Sequence, residues 1–236
     1  MKSLLYEKSI KINDFIEVVI PTVEEVLEDE EQYYGIVSSL VSTPFDAMVW
    51  LDEVGIDFTK IDDYDLFLIM FQAIRDQDTS LIFGDLDLSQ FQPAISEDDQ
   101  TCVLLNPDTG AVIDKVVYRH IAQALRKIHH LERNRKKAGN EEARKYLLDR
   151  ARTKLKRNRR KEYRSQLDPL IIAMVNTEQF KYNYEETKAL SIFQFNESVI
   201  QIVSKINYQN IMHGVYSGTV STKDVRKEDL NWLTHK

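Results

Sequence analysis

The 236-residue sequence has few of the residues that make tight turns or cross-links: seven glycines, five prolines and one cysteine. All-β folds need many tight turns, so this shortage favours long helices joined by few connections. A single cysteine, Cys102, excludes an intrachain disulfide, which is typical of a reducing compartment. Because its neighbours Val103 and Leu104 are apolar, we predict that Cys102 packs as a small hydrophobic residue.

Long hydrophobic runs are also missing. The longest, at 66–71 and 170–175, fall far short of the roughly 20 apolar residues that a membrane-spanning helix needs. The N-terminal residues lack the apolar stretch of a secretory signal. We therefore expect no membrane partner and a cytoplasmic location.

Motifs that carry catalytic or metal-binding chemistry are absent too. The chain has no HExxH sequence, P-loop, nucleophile elbow or cysteine cluster. Adjacent helix residues point about 100° apart, so we predict that His129 and His130 are surface residues and not a metal pair. Asp85 and Asp87 could bind Mg²⁺ from one face of a strand, but ordinary turn or edge carboxylates fit better. We predict a protein that is not an enzyme and needs no cofactor or metal.

The residues that are present indicate an α+β fold that is mainly α. Hydrophobic residues make up 43% of the chain, enough for a buried core. We predict a helical bundle with a small antiparallel β-sheet or hairpins at about 5–20 and 80–115, and a long basic helix. The turn pair Asn13-Asp14 and the Pro-Asp-Gly turn at 107–110 each separate two β-prone runs, as in hairpins.

Helix-capping residues predict where the helices begin. Pro21, Thr43-Pro44 and Asp62 are expected to open three helices, the first broken near Gly35. After Val116 the chain is helical again, and Asn140 is expected to cap one long helix over 141–167.

Charge is divided unevenly along the chain. Residues 1–100 contain 5 Lys/Arg and 23 Asp/Glu, whereas residues 126–164 contain 17 Lys/Arg and 5 Asp/Glu. With the helix pattern, this division predicts an acidic helical region with a small sheet (1–115), a basic helical band (116–164) and a C-terminal helical region (165–236), which could also form one continuous fold.

The basic band has three interpretations. It could be a solvated helix face partly neutralised by the acidic region, a surface that binds the phosphate backbone of nucleic acid, or a protein-binding or self-assembly surface. Few aromatic residues accompany it, so platforms for base stacking are lacking. The candidate electrostatic binding residues are Arg150, Arg152, Lys154, Lys156, Arg157, Arg159, Arg160 and Lys161.

Five segments resemble proteins encoded in the tail modules of phages and prophages of Gram-positive bacteria. They are IPTVEEVL at 20–27, the stretch 42–67, FGDLDLSQF at 83–91, and the C-terminal stretches 176–202 and 214–233. The resemblance implies a tail assembly chaperone or another tail morphogenesis protein. Its partners would be other tail proteins, namely the tape-measure protein or tube components. The long basic helix is not a feature of that family, and no individual functional residue carries over.

The resemblance leads to our prediction of a non-enzymatic phage tail assembly protein acting through protein–protein contacts; the alternative is a nucleic-acid-associated protein using 126–164. A chaperone of a long helix needs an exposed apolar groove. The candidate groove residues, which core packing would also explain, are Tyr208, Ile211, Met212, Val215 and Tyr216. Such a protein would act in the host bacterial cytoplasm, and it would also be found in the virion if it stays in the particle. It would be a homo-oligomer if copies associate.

Overall fold

The computed structural model describes residues 3–96, 100–158 and 162–233. These residues form ten α-helices and two small antiparallel sheets, which confirms the predicted α+β, mainly α fold. The chain divides into two compact units. The first comprises the described residues of 1–21 and 25–165, and the second comprises 22–24 and the described residues after 165. None of the described helices has the length and apolar content that crossing a membrane requires.

Up to residue 158 a hairpin is followed by five helices, three further strands and two helices. In chain order they are β1 (Ser9–Lys11), β2 (Glu17–Val19), α1 (Val23–Glu28), α2 (Glu30–Val41), α3 (Met48–Glu53), α4 (Asp63–Arg75), α5 (Ser80–Phe83), β3 (Gln92–Ile95), β4 (Cys102–Leu105), β5 (Val112–Ile113), α6 (Lys115–Ile128) and α7 (Glu141–Asn158). After residue 162 the helices are α8 (Leu167–Val175), α9 (Tyr184–Lys188) and α10 (Ile192–Tyr216).

The N-terminal hairpin forms where the sequence predicts it. Strands β1 and β2 pair antiparallel, with Ile10 opposite Val18. The Asn13 side chain closes the turn by accepting hydrogen bonds from the backbone N–H groups of Phe15 (2.9 Å) and Ile16 (2.8 Å). An asparagine that bonds its own backbone two residues on is a typical turn former.

The second sheet is smaller than the predicted range of 80–115. Strands β3, β4 and β5 pair antiparallel in chain order, and Gly110 completes the β4–β5 turn with a φ of +74°. Residues 80–90, predicted to be extended, instead form α5 and a 3₁₀ turn at Leu88–Gln90. The Asp87 carboxylate accepts a hydrogen bond from the Ser89 N–H at 2.9 Å and caps this turn. Asp85 and Asp87 therefore do not lie on a strand, and Asp87 is a turn carboxylate, in agreement with the preferred of the two interpretations.

Helices α2, α4 and α6 form the centre of the first unit. Asp62 caps α4 as predicted, accepting hydrogen bonds from the N–H groups of Tyr64 (2.9 Å) and Asp65 (3.1 Å). The ring of Tyr118 on α6 stacks on Phe67 of α4, with 4.6 Å between ring centroids. Ile121, Leu125 and Ile128 recur at helical spacing on α6, and all three are buried in this core.

The predicted position of His129 at the surface is wrong. His129 caps the C-terminal end of α6, four residues after the buried Leu125, and is 9% exposed. Its Nε2 atom lies 2.9 Å from the Tyr33 hydroxyl on α2. The neighbouring His130 is exposed, as predicted.

Three predicted helix boundaries are also wrong. The first helix breaks at Asp29 and not at Gly35, because the Asp29 carboxylate caps the new helix α2. Thr43 does not start a helix: its N–H and hydroxyl bond the Asp46 carboxylate at 2.9 and 2.7 Å, and α3 begins at Met48. The single helix expected over 141–167 ends at Asn158, and residues 162–165 are not helical.

The second unit consists of α8, α9 and α10 with the strand-like residue Thr22, which pairs with Ser191. Capping boxes begin both α9, at Asn183, and α10, at Ser191. Each satisfies two backbone donors that a helix start leaves unpaired. Phe180 packs edge-on against Phe195 with centroids 6.2 Å apart, and both rings are buried.

Candidate functional site

The basic helix α7 rests on the acidic part of its own unit. Asn140 caps it through a 2.8 Å hydrogen bond from the Ala143 N–H, as predicted. Leu148 of α7 is buried, at 4% exposed, and it packs among the apolar side chains of α3 and α4. Leu147 and Ala151 complete a narrow apolar stripe that contacts the same cluster.

Ion pairs flank this stripe. Arg144 lies 3.7 Å from a carboxylate oxygen of Asp52 and 3.3 Å from one of Asp57, and its guanidinium lies over the Phe58 ring. Arg152 also bonds Asp52. The pKa of Asp57 lies below its ordinary value, chiefly because the backbone N–H and the hydroxyl of Thr59 bond its carboxylate, with a smaller contribution from Arg144. The acidic region therefore neutralises the inner side of the basic helix.

The outer side of α7 is different. Arg150, Lys154, Lys156 and Arg157 are exposed, and no carboxylate pairs with any of them within the described residues. Arg150, Lys154 and Arg157 follow one another at spacings of four and three residues, so they line one side of the helix. Tyr146, 65% exposed, lies four residues before Arg150 on that side. Arg159, Arg160 and Lys161 lie outside the described residues.

The apolar candidates lie on α10, in the second unit. The first turn of α10 is anchored by Ile192, Phe193 and Phe195, which are buried. No residue of α10 beyond Phe195 is buried. Of the candidates, Tyr208, Ile211, Met212 and Val215 are half-buried at spacings of three and four residues, and Tyr216 is 81% exposed.

Further half-exposed apolar residues continue this surface towards the start of α10. Ile200 is 40% exposed and Val203 is 48% exposed. Lys205, seven residues before Met212, lies over the ring of Trp232, 5.6 Å from its centroid. None of the last twenty residues of this apolar helix has a fully buried side chain. The helix therefore provides a surface suited to a partner.

The structure also assembles basic residues that the sequence analysis did not single out. Lys115 and Arg119 on α6, with Arg126 two turns further along the same side, face the connecting residues Arg133 and Arg135 across a cavity of about 560 Å³. The spacing of 115, 119 and 126 on a predicted helix could have grouped these basic residues in advance, because residues four and seven apart share a helix face. The approach of Arg133 and Arg135 depends on the path of the connection after α6.

Buried titratable groups lie in the same unit. Burial, with a smaller contribution from the nearby His130, lowers the pKa of His129 to about 4. The Nδ1 atom of His129 has no hydrogen-bond partner. Among the described residues, no group of three histidine, cysteine or acidic side chains is arranged to hold a metal ion.

Comparison with known proteins concerns the C-terminal third. A family described as the YomV second domain matches residues 157–236, a segment that contains all of α8, α9 and α10. YomV is a phage- and prophage-associated family of Bacillus. No curated protein and no solved structure matches the chain. This segment is thus similar to a phage-associated domain, which agrees with the phage association that the sequence resemblance implied.

Proposed function

We propose that this protein is a non-enzymatic phage protein that assists tail assembly by binding other tail proteins. The observation that carries the proposal is the half-exposed apolar surface of α10, which lies within the segment similar to the YomV second domain. A tape-measure or tube protein with an amphipathic helix would bury apolar area on this surface. The expected site of action is the host cytoplasm during assembly.

Co-expression tests the proposal. The chain, carrying an affinity tag, is produced together with the tape-measure and tube proteins encoded beside it, and co-purification is measured. The double variant Ile211→Gln/Tyr216→Gln should reduce co-purification at least about tenfold, because it makes the contact surface polar. Gln209→Ala/Asn210→Ala, which changes exposed polar residues of the same helix, is the matched control. If no tail protein co-purifies with the unchanged chain, the proposal is wrong.

A second function is favoured by the outer side of α7. Arg150, Lys154 and Arg157 are exposed cations without a carboxylate partner among the described residues, as binding to a phosphate backbone requires. Fluorescence anisotropy with a random-sequence duplex should then show affinity that falls steeply as salt rises.

The variants for this second test are matched in charge. Changing Arg150, Lys154 and Arg157 to Gln should weaken binding and lower its salt dependence, because three phosphate contacts are lost. The same change at Lys60, Lys223 and Lys227, which are exposed outside the basic band, should have little effect. Equal losses in both triple variants would show general charge attraction and remove this function.

A further inference from the structure

A cavity of about 560 Å³ opens in the first unit between the start of α4, one side of α6 and residues 133–135. Its volume falls within the range of small-molecule sites, roughly 300–1,000 Å³. Five cationic side chains and two carboxylates line it: Lys115, Arg119, Arg126, Arg133 and Arg135 against Asp62 and Asp63.

Both carboxylates already have cationic partners. Asp63 accepts two hydrogen bonds from Arg133, at 2.7 Å to Nε and 3.0 Å to Nη2. Asp62 bonds the Lys115 ammonium group while it caps α4. These pairs cancel the charge of two lysine or arginine side chains and leave the positive charge of the other three.

The three other cations are differently placed. Arg126 is largely buried, donates a hydrogen bond to the Val41 carbonyl at 2.5 Å, and lies 3.8 Å from Asp63. Arg119 and Arg135 are exposed at the rim, and no carboxylate pairs with either within the described residues. Guanidinium groups match the geometry of phosphate oxygens, so this set would recognise a phosphate group.

A buried hydroxyl provides independent support. Tyr118 lines the cavity and is 3% exposed, yet its hydroxyl has no hydrogen-bond partner. Burial raises the pKa of Tyr118, Asp63 raises it further, and Arg126 offsets a part of this rise. The hydroxyl therefore keeps its proton and is a donor. A buried polar group without a partner is costly, and an acceptor atom of a ligand would satisfy it.

We propose that this cavity is a binding site for a small phosphorylated molecule, with Arg119, Arg126 and Arg135 as the phosphate-binding cations and the Tyr118 hydroxyl as a neutral donor. The site is independent of the tail-assembly function and of the outer side of α7. Its failure would leave both proposals standing, since neither uses these residues.

Calorimetric titration of the full chain with sodium tripolyphosphate and, separately, with ATP tests the site. Binding should be saturable at one site. Arg119→Gln/Arg135→Gln should weaken it at least about tenfold. Lys223→Gln/Lys227→Gln removes the same charge from exposed positions of the second unit and should leave the affinity unchanged.

Tyr118→Phe separates a binding role from a structural one. It removes only the hydroxyl, so the unliganded protein should be at least as stable to heat as the unchanged chain, while affinity for tripolyphosphate falls about fivefold. A destabilised unliganded variant with unchanged affinity would show that the hydroxyl has a structural role only.

Three results would overturn the site. The first is the absence of binding by both ligands at about 1 mM, and the second is an equal loss in the control variant. The third is binding of a short duplex, but of neither small ligand, that depends on Arg119 and Arg135. In that case the cavity would recognise a nucleic acid backbone instead of a small molecule.

Discussion

Helices α7 and α10 differ in composition, since α7 is basic and α10 is apolar. In each helix a few residues, and not the overall composition, attach it to its unit. The basic helix α7 has a narrow apolar stripe, yet Leu148 and the Arg144 and Arg152 ion pairs attach it to α3 and α4. The apolar helix α10 buries its first turn and leaves its remaining apolar residues partly exposed. Apolar content therefore predicts poorly which of two helices presents a free surface.

The two helices also present different surfaces to a partner. On α7 the residues paired with the acidic region, Arg144 and Arg152, lie on a different side from the unpaired Arg150, Lys154 and Arg157, so its own unit neutralises only a part of the basic surface. On α10 the exposed and half-exposed residues are apolar or uncharged polar ones, and the helix carries few charges. A polyanion would suit the first surface and an amphipathic helix the second.

The largest effect should come from removing the apolar anchor of α7. Leu148→Ala should lower the free energy of unfolding of the first unit by about 2–5 kcal/mol, because it leaves a cavity against α3. Leu155→Ala, at a position 39% exposed, should cost below about 1 kcal/mol. Urea unfolding is followed by Trp50 fluorescence in a Trp232→Phe background, which removes the one other tryptophan.

Equal costs at these two positions would contradict the assignment of Leu148 as the anchor. They would mean that the ion pairs and not the apolar stripe hold α7 in place.

The next largest effect is expected in the pH dependence of the free energy of unfolding. Because the folded pKa of His129, about 4, lies below its ordinary value of 6.5, the unfolded chain binds the proton more readily. Stability from this group is complete above pH 6.5 and is lost as pH falls towards 4, by up to about 3 kcal/mol. His129→Gln should flatten the pH dependence of the unfolding free energy over this interval.

His213, exposed on α10, provides the matched control, and His213→Gln should keep the pH profile of the unchanged chain. Identical profiles for all three proteins would show that His129 is not protonated on unfolding in this interval.

A smaller effect should follow when the ion pairs under α7 are removed. Asp52→Asn takes away the shared partner of Arg144 and Arg152 and should cost about 1 kcal/mol, a loss that shrinks at high salt. Glu53→Gln changes an exposed neighbouring carboxylate with no ion-pair partner among the described residues. An equal cost for both variants, at all salt concentrations, would contradict a specific role for Asp52.

The smallest effect on stability is expected on the exposed side of α10. Val203→Gln, at a position 48% exposed, should change the unfolding free energy by within about 0.5 kcal/mol. Ile192→Gln, at a fully buried position of the same helix, should be strongly destabilising. Scanning calorimetry of the two variants checks this, and a large loss in Val203→Gln would mean that the surface is already covered.

Much of the local structure could be predicted because local chemistry determines it. Asp62 and Asn140 cap helices where the sequence predicts them, and Asn13 makes its hairpin turn, since each side chain bonds its own nearby backbone. A predicted helix boundary was wrong where a different local hydrogen bond competes with the start of a helix. Thr43 and Asp46 bond each other instead of opening a helix.

The candidate site was less predictable. Arg150, Lys154 and Arg157 could be grouped in advance, because helical spacing alone puts them on one side. The pairing of Arg144 and Arg152 with Asp52 joins residues almost a hundred positions apart, and no local pattern indicates it. The same applies to His129, whose burial depends on Tyr33 from α2.

The sequence by itself determined the helical character, the helix starts at Asp62 and Asn140, the first hairpin and the separation of acidic from basic segments, because these depend on neighbours in the chain. Tertiary structure alone decided which charges are neutralised and which face outward. It also decided which apolar residues of α10 are left uncovered and that five cations gather around the buried Tyr118 hydroxyl. Those outcomes depend on which distant surfaces meet, and periodicity and charge along one chain do not specify that choice.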